Sequence, residues 1–352
     1  MTELLGVSVV ITNYNNERFL AAAIDSALAQ DHSVCELIVV DDCSTDDSRA
    51  IISSYADRFQ SVFRETNGGH TAALNSAWPL AKYPLLIILD SDDVLFPHAA
   101  STVASTWTTA TAKIQFPLAT IDATGRQIGH VGPKFPPNLD TAMIRAALLR
   151  TCQSPSVQGS GNAYSRSLLD WVDRDGGFEV GNPRELTPDQ ILECNAPFYG
   201  EVITLYEPLA FYRIHDSNES LLHTIDYSRF AKGIRYCLRK VDYFEQRCLR
   251  WRIPFDAAAA RNRSTWLLDC RLAMNKLAPT NDPGRAPISA ILYHGLKAHI
   301  KETGPTKARI LQALWFVSVA LSPRRLSIRL IALRFIVAQR PRWFARLFNK
   351  FA

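Results

Sequence analysis

The chain has 352 residues, long enough for two domains or for one large domain with an appendage. Its 47% hydrophobic and 21% charged content is that of an ordinary globular protein, and the net charge is only +5. Seven cysteines, an odd number without a CxxC pair, exclude a disulfide framework or a zinc site and point to a reducing cytosol. The start, MTELLG, leads into a strand without a charged n-region and apolar h-region, so no signal peptide is expected. No run approaches the ~18 apolar residues that span a bilayer. The best stretch, Ile310 to Leu321, is too short and contains Gln312. A soluble or peripheral protein is expected.

Taken in chain order, Val7 to Ile11 (VSVVI) is a short continuous apolar run, the pattern of a strand buried on both faces of a parallel sheet. It ends in Thr12, Asn13, Tyr14, Asn15 and Asn16. Glu17 to Gln30 carries apolar residues at helical spacing. Leu37 to Val40 is a second strand, ending in Asp41 and Asp42, with Ser44 or Thr45 expected to cap a helix to about Tyr55. Val62 to Arg64 is a short strand, and Asn67, Gly68 and Gly69 turn the chain into a helix from about Thr71 to Leu80. Leu85 to Leu89 is the strongest strand, and it runs directly into Asp90, Ser91, Asp92 and Asp93.

Four β-α units in the first hundred residues predict a doubly wound parallel sheet with helices on both faces. Polar clusters at three strand ends then fall on one sheet edge, where open α/β folds bind ligands. Crowded carboxylates raise one another's pKa unless a positive charge arrives. Mg²⁺ or Mn²⁺ would supply it, held by one or two carboxylates plus the oxygens of a bound diphosphate. The plain alternative for an isolated DxDD is an acidic turn capping the next helix. Neither GxGxxG nor GxxxxGK[ST] occurs, which excludes a Rossmann dehydrogenase and a P-loop NTPase.

The stretches VSVVITNYNNERFLAAAIDSALAQ, ELIVVDDCSTDDS, TNGGHTAALNSA and LLIILDSDDVLFP resemble, in order and spacing, the nucleotide-sugar domain of family 2 glycosyltransferases. The resemblance implies a GT-A type fold and inverting transfer from a nucleotide-diphosphate donor, most naturally UDP-linked. It implies that Thr12, Tyr14 and Asn15 line the base pocket, with Tyr14 against the ring. Asp42 would accept from the pyrimidine with Asp41 supporting it, and Asp90, Asp92 and Asp93 would share ribose and metal contacts. Three departures stand out: Thr12 where Pro is common, Cys43 where Gly is common, and Leu74 near a customary basic residue. Asn75, shared with the family, is expected to tie its loop together.

Further on, Thr120 to Val131 with its DATG turn reads as a hairpin. Gly159, Ser160, Gly161 and Asn162 form a connection before a short helix, and a similar family segment borders the sugar and acceptor pocket. GGFEVGNPRELTPDQIL resembles the segment carrying the family's general base. That implies Asp189, with Glu185 as the fallback. Thr187 as N-cap, Pro188 at the first helical position and Asp189 at the dipole are equally expected there. In EPLAFYRIHDSNES, His215 is the expected metal or diphosphate ligand and Arg213 a phosphate contact. The other seven histidines lack such a context.

From about Tyr227 the chain is predominantly helical, so the expected division is 1–224 and 225–352. Thr303 to Ala352 has no Asp or Glu but many Arg and Lys. Its last stretch, from Arg324 through Trp343 and Phe344, reads as a basic amphipathic helix suited to an anionic membrane. No nucleic acid is expected. Peripheral attachment to the inner face of a membrane is, with a glycan or lipid-linked glycan as acceptor. Two alternatives remain. A silent sugar-nucleotide binder would keep the site without turnover. A Mg²⁺-dependent phospho-receiver would mimic VVDD and LLIILDSDD, but would leave the preceding β-α unit and some two hundred and fifty following residues unexplained.

Overall fold

The computed structural model describes residues 5–157, 159–179, 186–216, 218, 225–277, 287–301 and 306–336. Two compact units emerge, one of residues 1–146 with 154–215 and one of 147–153 with 216–352.

The first unit opens with β1 (Val7–Asn13), α1 (Glu17–Leu28), β2 (Cys35–Asp41), α2 (Ser48–Ser54), β3 (Gln60–Phe63), α3 (His70–Ala77) and β4 (Leu85–Asp90). It continues with β5 (Val94–Leu95), α4 (Ala99–Thr106), β6 (Thr111–Gln115), β7 (Leu118–Asp122), β8 (Gln127–Gly132), α5 (Thr141–Thr151), whose residues from Ala147 on are counted with the second unit, and β9 (Asn162–Ser165). It closes with α6 (Arg166–Arg174), α7 (Pro188–Tyr199), β10 (Glu201–Thr204) and β11 (Ala210–Ile214). Seven strands form one sheet in the order β10-β6-β9-β4-β1-β2-β3, and four form a second in the order β5-β11-β7-β8. The apolar run of β4 is the centre of the core, with Leu85 to Leu89 no more than 2% exposed. Burial on both faces is why the run is continuous rather than alternating.

In the large sheet β1 pairs in parallel with both β2 and β4, and β2 with β3. The sheet is mixed, because β9 runs antiparallel between β4 and β6. The sequence pattern gives only a Gly/Ser connection here; the four residues of β9 carry too little pattern to announce a strand. The expected hairpin is present as β7 and β8, antiparallel.

Two helix boundaries differ from expectation. Helix α2 begins at Ser48 after Asp47, not after a Ser44 or Thr45 cap. The Ser44 hydroxyl is occupied by the Asn15 backbone N–H at 2.9 Å, and the Thr45 N–H donates to Asn15 Oδ1 at 2.7 Å. Helix α3 ends at Ala77, and one tight turn of a narrower helix carries the chain to Leu80.

The second unit contains α8 (Tyr227–Arg250), α9 (Ala257–Arg263), α10 (Thr265–Leu277), α11 (Ile288–Lys301), α12 (Thr306–Leu321) and α13 (Arg324–Phe335). Its core gathers Phe230, Leu267, Leu268, Leu272, Phe316 and Val319, among others. A buried ion set locks three of the helices. Asp269 on α10, wholly buried, faces His299 Nε2 of α11 at 3.0 Å and takes a bond from Arg334 of α13. Removing one member of such a set strands the others without compensation. Asp269→Ala is therefore expected to lower stability by about 3–5 kcal/mol in urea unfolding. A loss below about 1 kcal/mol would assign the set no more weight than a surface pair.

Among the described residues no helix is long and apolar enough to cross a membrane. All seven cysteines are free. Residues 337–352, which include the expected aromatic tail, lie outside the described residues.

Candidate active site

The order β2-β1-β4 makes the carboxyl end of β1 the switch point of the sheet, the place where open α/β folds leave a crevice. Register does the rest. Thr12 pairs with Asp90 across β1 and β4, and Asn13 pairs with Asp41 across β1 and β2. The polar clusters read from the sequence therefore do share one edge. Tyr14, next in line, stands 49% exposed over it. Asn15 holds a left-handed backbone at φ 49°, which Asn tolerates well. Cys43 holds one too, at φ 65°, so the departure from Gly at that position carries local strain.

On the β2 side, both carboxylates grip their own chain. Asp41 accepts from Asn13 Nδ2 at 3.0 Å, from the Ser44 N–H at 3.0 Å and from Arg49 Nε at 2.8 Å. Burial alone would raise its carboxyl; the Ser44 and Arg49 donors outweigh burial and hold it below the usual range. Asp42 accepts from Arg64 Nε at 2.7 Å, from the Gly68 N–H on both oxygens, and from the Gly69 N–H at 2.7 Å. A carboxylate offers about four lone-pair sites. Those of Asp42, expected to meet a pyrimidine, are taken up in pinning the loop that leads into α3.

At the end of β4 the chain turns on a bond from the Asp93 N–H to the Asp90 carbonyl at 3.1 Å. Asn16 Nδ2 donates to Ser91 Oγ at 3.0 Å, tying this turn to the β1 loop. The Asp90 N–H donates to Ser160 Oγ at 3.0 Å. Gly159 lies beside them, and a Cβ there would sit 3.1 Å from Asp90 Oδ2. The GSG segment is thus packed against the aspartates rather than a bare connection. Burial pushes the Asp90 carboxyl up to about 6, helped by the charges of Asp92 and Asp189 and opposed by His70. Asp93, buried, is raised well above its ordinary value, by burial first and then by Asp92 and Asp90.

His70, at the start of α3, is a site residue that the sequence pattern does not single out. Its Nε2 lies 3.5 Å from Asp90 Oδ1. The one signal is its place directly after Asn67-Gly68-Gly69, a loop leading back to the same edge.

His215 Nε2 and Asp92 Oδ2 are 2.9 Å apart, and the His215 ring packs on Phe19 with centroids 4.6 Å apart. Arg213 braces the same turn. Its N–H donates to Asp93 Oδ1 at 2.9 Å, while its guanidinium donates to the Asp92 carbonyl at 2.8 Å and the Asp122 carbonyl at 3.3 Å. A guanidinium bound to backbone carbonyls and laid over Phe19 at 4.9 Å holds the aspartate turn in place.

Among the described residues no group of three or more His, Cys, Asp or Glu side chains is arranged to hold a metal. The expected set of Asp92, Asp93 and His215 is thus not a closed cage, because His215 Nε2 is turned onto Asp92. A cation completed by phosphate oxygens needs less from the protein, one or two carboxylates. Asp93 meets that need: its Oδ2 is buried without a hydrogen-bond partner, a costly state that a cation would relieve. The residues present fit such an ion.

Asp189 follows Pro188 in the first turn of α7, with Thr187 as N-cap, as the sequence predicts. Gln190 Oε1 accepts from the Thr187 N–H at 3.2 Å, and Thr71 Oγ1 of α3 donates to the Leu186 carbonyl at 2.8 Å. Those bonds seat the half-buried Asp189 near enough to Asp90 for its charge to raise that carboxyl. Glu185 lies outside the described residues.

Residues 8–170 match the sequence model of glycosyl transferase family 2. An uncharacterised glycosyltransferase of Nostoc sp. is 33% identical over 225 residues, which is 61% of this chain and 66% of that protein. The succinoglycan biosynthesis protein ExoO of Rhizobium meliloti is 36% identical over 92 residues, 26% of each chain. The chain thus spans less than two thirds of the length of these relatives. Among solved structures, Staphylococcus aureus TarS 1–349 in complex with UDP-GlcNAc superposes with TM-score 0.56 at 15% identity, covering 90% of both chains. The mannosyltransferase PcManGT of Pyrobaculum calidifontis, in complex with GDP-Man and Mn²⁺, gives TM-score 0.51 at 16% identity, covering 96% of this chain and 89% of that one. Fold and sequence agree: residues 8–170 carry the sequence pattern of glycosyl transferase family 2, and the chain has the GT-A fold.

Proposed function

We propose that the protein transfers a sugar from a nucleotide-diphosphate donor, UDP-linked by preference, to an acceptor hydroxyl with inversion. The observation that carries this reading is the meeting of Asp90, Asp92, Asp93 and the charge of Asp189 at the switch point beside β1. The nucleoside would lie along the β1 edge, with Tyr14 against the base and Thr12, Asn15, Asp41 and Asp42 forming the wall. Asp90 and Asp92 would face the ribose and diphosphate. Asp92 and Asp93 would hold a divalent cation, Mn²⁺ or Mg²⁺, with His215 orienting Asp92. When bound, that ion would draw charge from the departing diphosphate as a Lewis acid.

The chain's own residues then have defined tasks. Asp189 takes the proton of the acceptor hydroxyl while its oxygen bonds to the anomeric carbon. The bond from that carbon to the diphosphate oxygen breaks on the opposite face, and its electron pair leaves with the nucleoside diphosphate. Arg213 and Asn16 keep the aspartate turn from moving as charge builds there. The likeness to ExoO, a succinoglycan biosynthesis protein, favours a polysaccharide or lipid-linked glycan as acceptor.

A thermal-shift panel of UDP, GDP, CDP and dTDP with and without Mn²⁺ tests the proposal. A ligand at about a hundred times its Kd adds about 2.7 kcal/mol, which raises Tm by roughly 3–4 °C in a chain of this size. The expected result is such a rise for UDP, dependent on Mn²⁺. A rise for none of the four would remove the nucleotide-sugar reading.

A further inference from the structure

Helix α12 is apolar on two opposite faces. Trp315, Phe316, Val319 and Ala320 enter the core of the second unit and are no more than 7% exposed. On the other side Ile310, Leu314 and Leu321 fall in line with Val317, at steps of four, three and four residues. The three are 55%, 59% and 73% exposed. A helix on the surface of a globular unit ordinarily turns polar residues outward there. The turn into α13 adds Leu326, 48% exposed, beside the exposed Arg324, Arg325 and Arg329. Residues 306–336 hold six cations and no acid. Arg334 is engaged with the buried Asp269, while Arg324, Arg325 and Arg329 stay at the surface.

We infer that the outer face of α12 and the start of α13 form a lipid-docking surface for an anionic bilayer. The aliphatic stripe enters the headgroup boundary and the arginines meet lipid phosphates, the division of labour of an interfacial helix. Charge selects this occupant over a second copy of the chain. A second copy would bring the same surface arginines, Arg324, Arg325 and Arg329, against the first, with no acid in this segment to meet them. The inference does not need the residues beyond 336, and it stands apart from the sugar-transfer reading.

The test is co-sedimentation of the full-length chain with vesicles of phosphatidylcholine alone or mixed with phosphatidylglycerol. The wild type is expected to pellet with the mixed vesicles, less so at high salt, and not with phosphatidylcholine alone. Leu314→Glu with Leu321→Glu should lower the bound fraction roughly tenfold or more while the circular dichroism spectrum is unchanged, since both side chains are exposed. Arg325→Glu with Arg329→Glu should lower it comparably and flatten the salt dependence. Full binding by both double variants would overturn the inference and assign attachment elsewhere in the chain. So would a wild type that ignores anionic vesicles, or one that is a dimer in solution until Leu314→Glu dissociates it.

Discussion

Asp189→Asn will cut sugar transfer by about 10²–10⁴ fold while leaving donor binding intact. The substitution keeps size and hydrogen-bonding reach but removes the basic oxygen proposed to take the acceptor proton. Helix α7 should not suffer, because its start is secured by the bond from the Thr187 N–H to Gln190 and by Pro188, neither of which involves the Asp189 side chain. The measurement is transfer rate at saturating donor, beside the Mn²⁺-dependent thermal shift. A rate within tenfold of wild type would move the base elsewhere. Loss of the thermal shift together with the rate would make Asp189 a donor contact instead.

The second large effect belongs to Asp92 and Asp93. Asp92→Asn or Asp93→Asn is expected to lose the Mn²⁺-dependent part of donor binding and about a thousandfold in rate, the equivalent of roughly 4 kcal/mol. The pH dependence has a definite sign. The Asp90 carboxyl is pushed up to about 6, and Asp93 is raised as well, so below pH 6 protons compete with the cation. Metal-dependent binding should therefore weaken as pH falls through about 6. Without metal the order reverses. Asp90 and Asp93 bind protons more readily in the folded state than in the unfolded one, so their contribution to the stability of the metal-free protein grows as pH falls toward about 4. Donor binding with Mn²⁺ that is flat from pH 7.5 to 5 would separate these carboxylates from the metal.

Much of this site is legible in the sequence because buried parallel strands advertise themselves. The runs VSVVI, LIVV and LLIIL need no alternation when both faces are covered, and the residues directly after each run must lie at the carboxyl edge. That logic places Thr12, Asp41 and Asp90 at one sheet edge before any contact is known, and the register then pairs Thr12 with Asp90 and Asn13 with Asp41. It does not say what those side chains already hold. The Asp42 oxygens go to Arg64 and two glycine amides, and the Arg213 guanidinium goes to two carbonyls. Such partnerships arise from distant segments, and sequence spacing is silent about them. His70 escapes notice for the same reason, since its neighbour Asp90 is twenty residues away along the chain and 3.5 Å away in space. Strand β9, reading NAYS, escapes it because its strand state is imposed by β4 and β6 on either side rather than by its own residues.

The measurement that bears most directly on the central claim is a crystal of the protein with UDP and Mn²⁺, with an anomalous difference map collected near the manganese edge. The account predicts one Mn²⁺ peak within about 2.0–2.4 Å of a carboxylate oxygen of Asp92 or Asp93, bridged to the diphosphate, with the uracil against Tyr14. Bound UDP with the peak absent from those carboxylates, or a nucleotide lying away from the β1 edge, would contradict it.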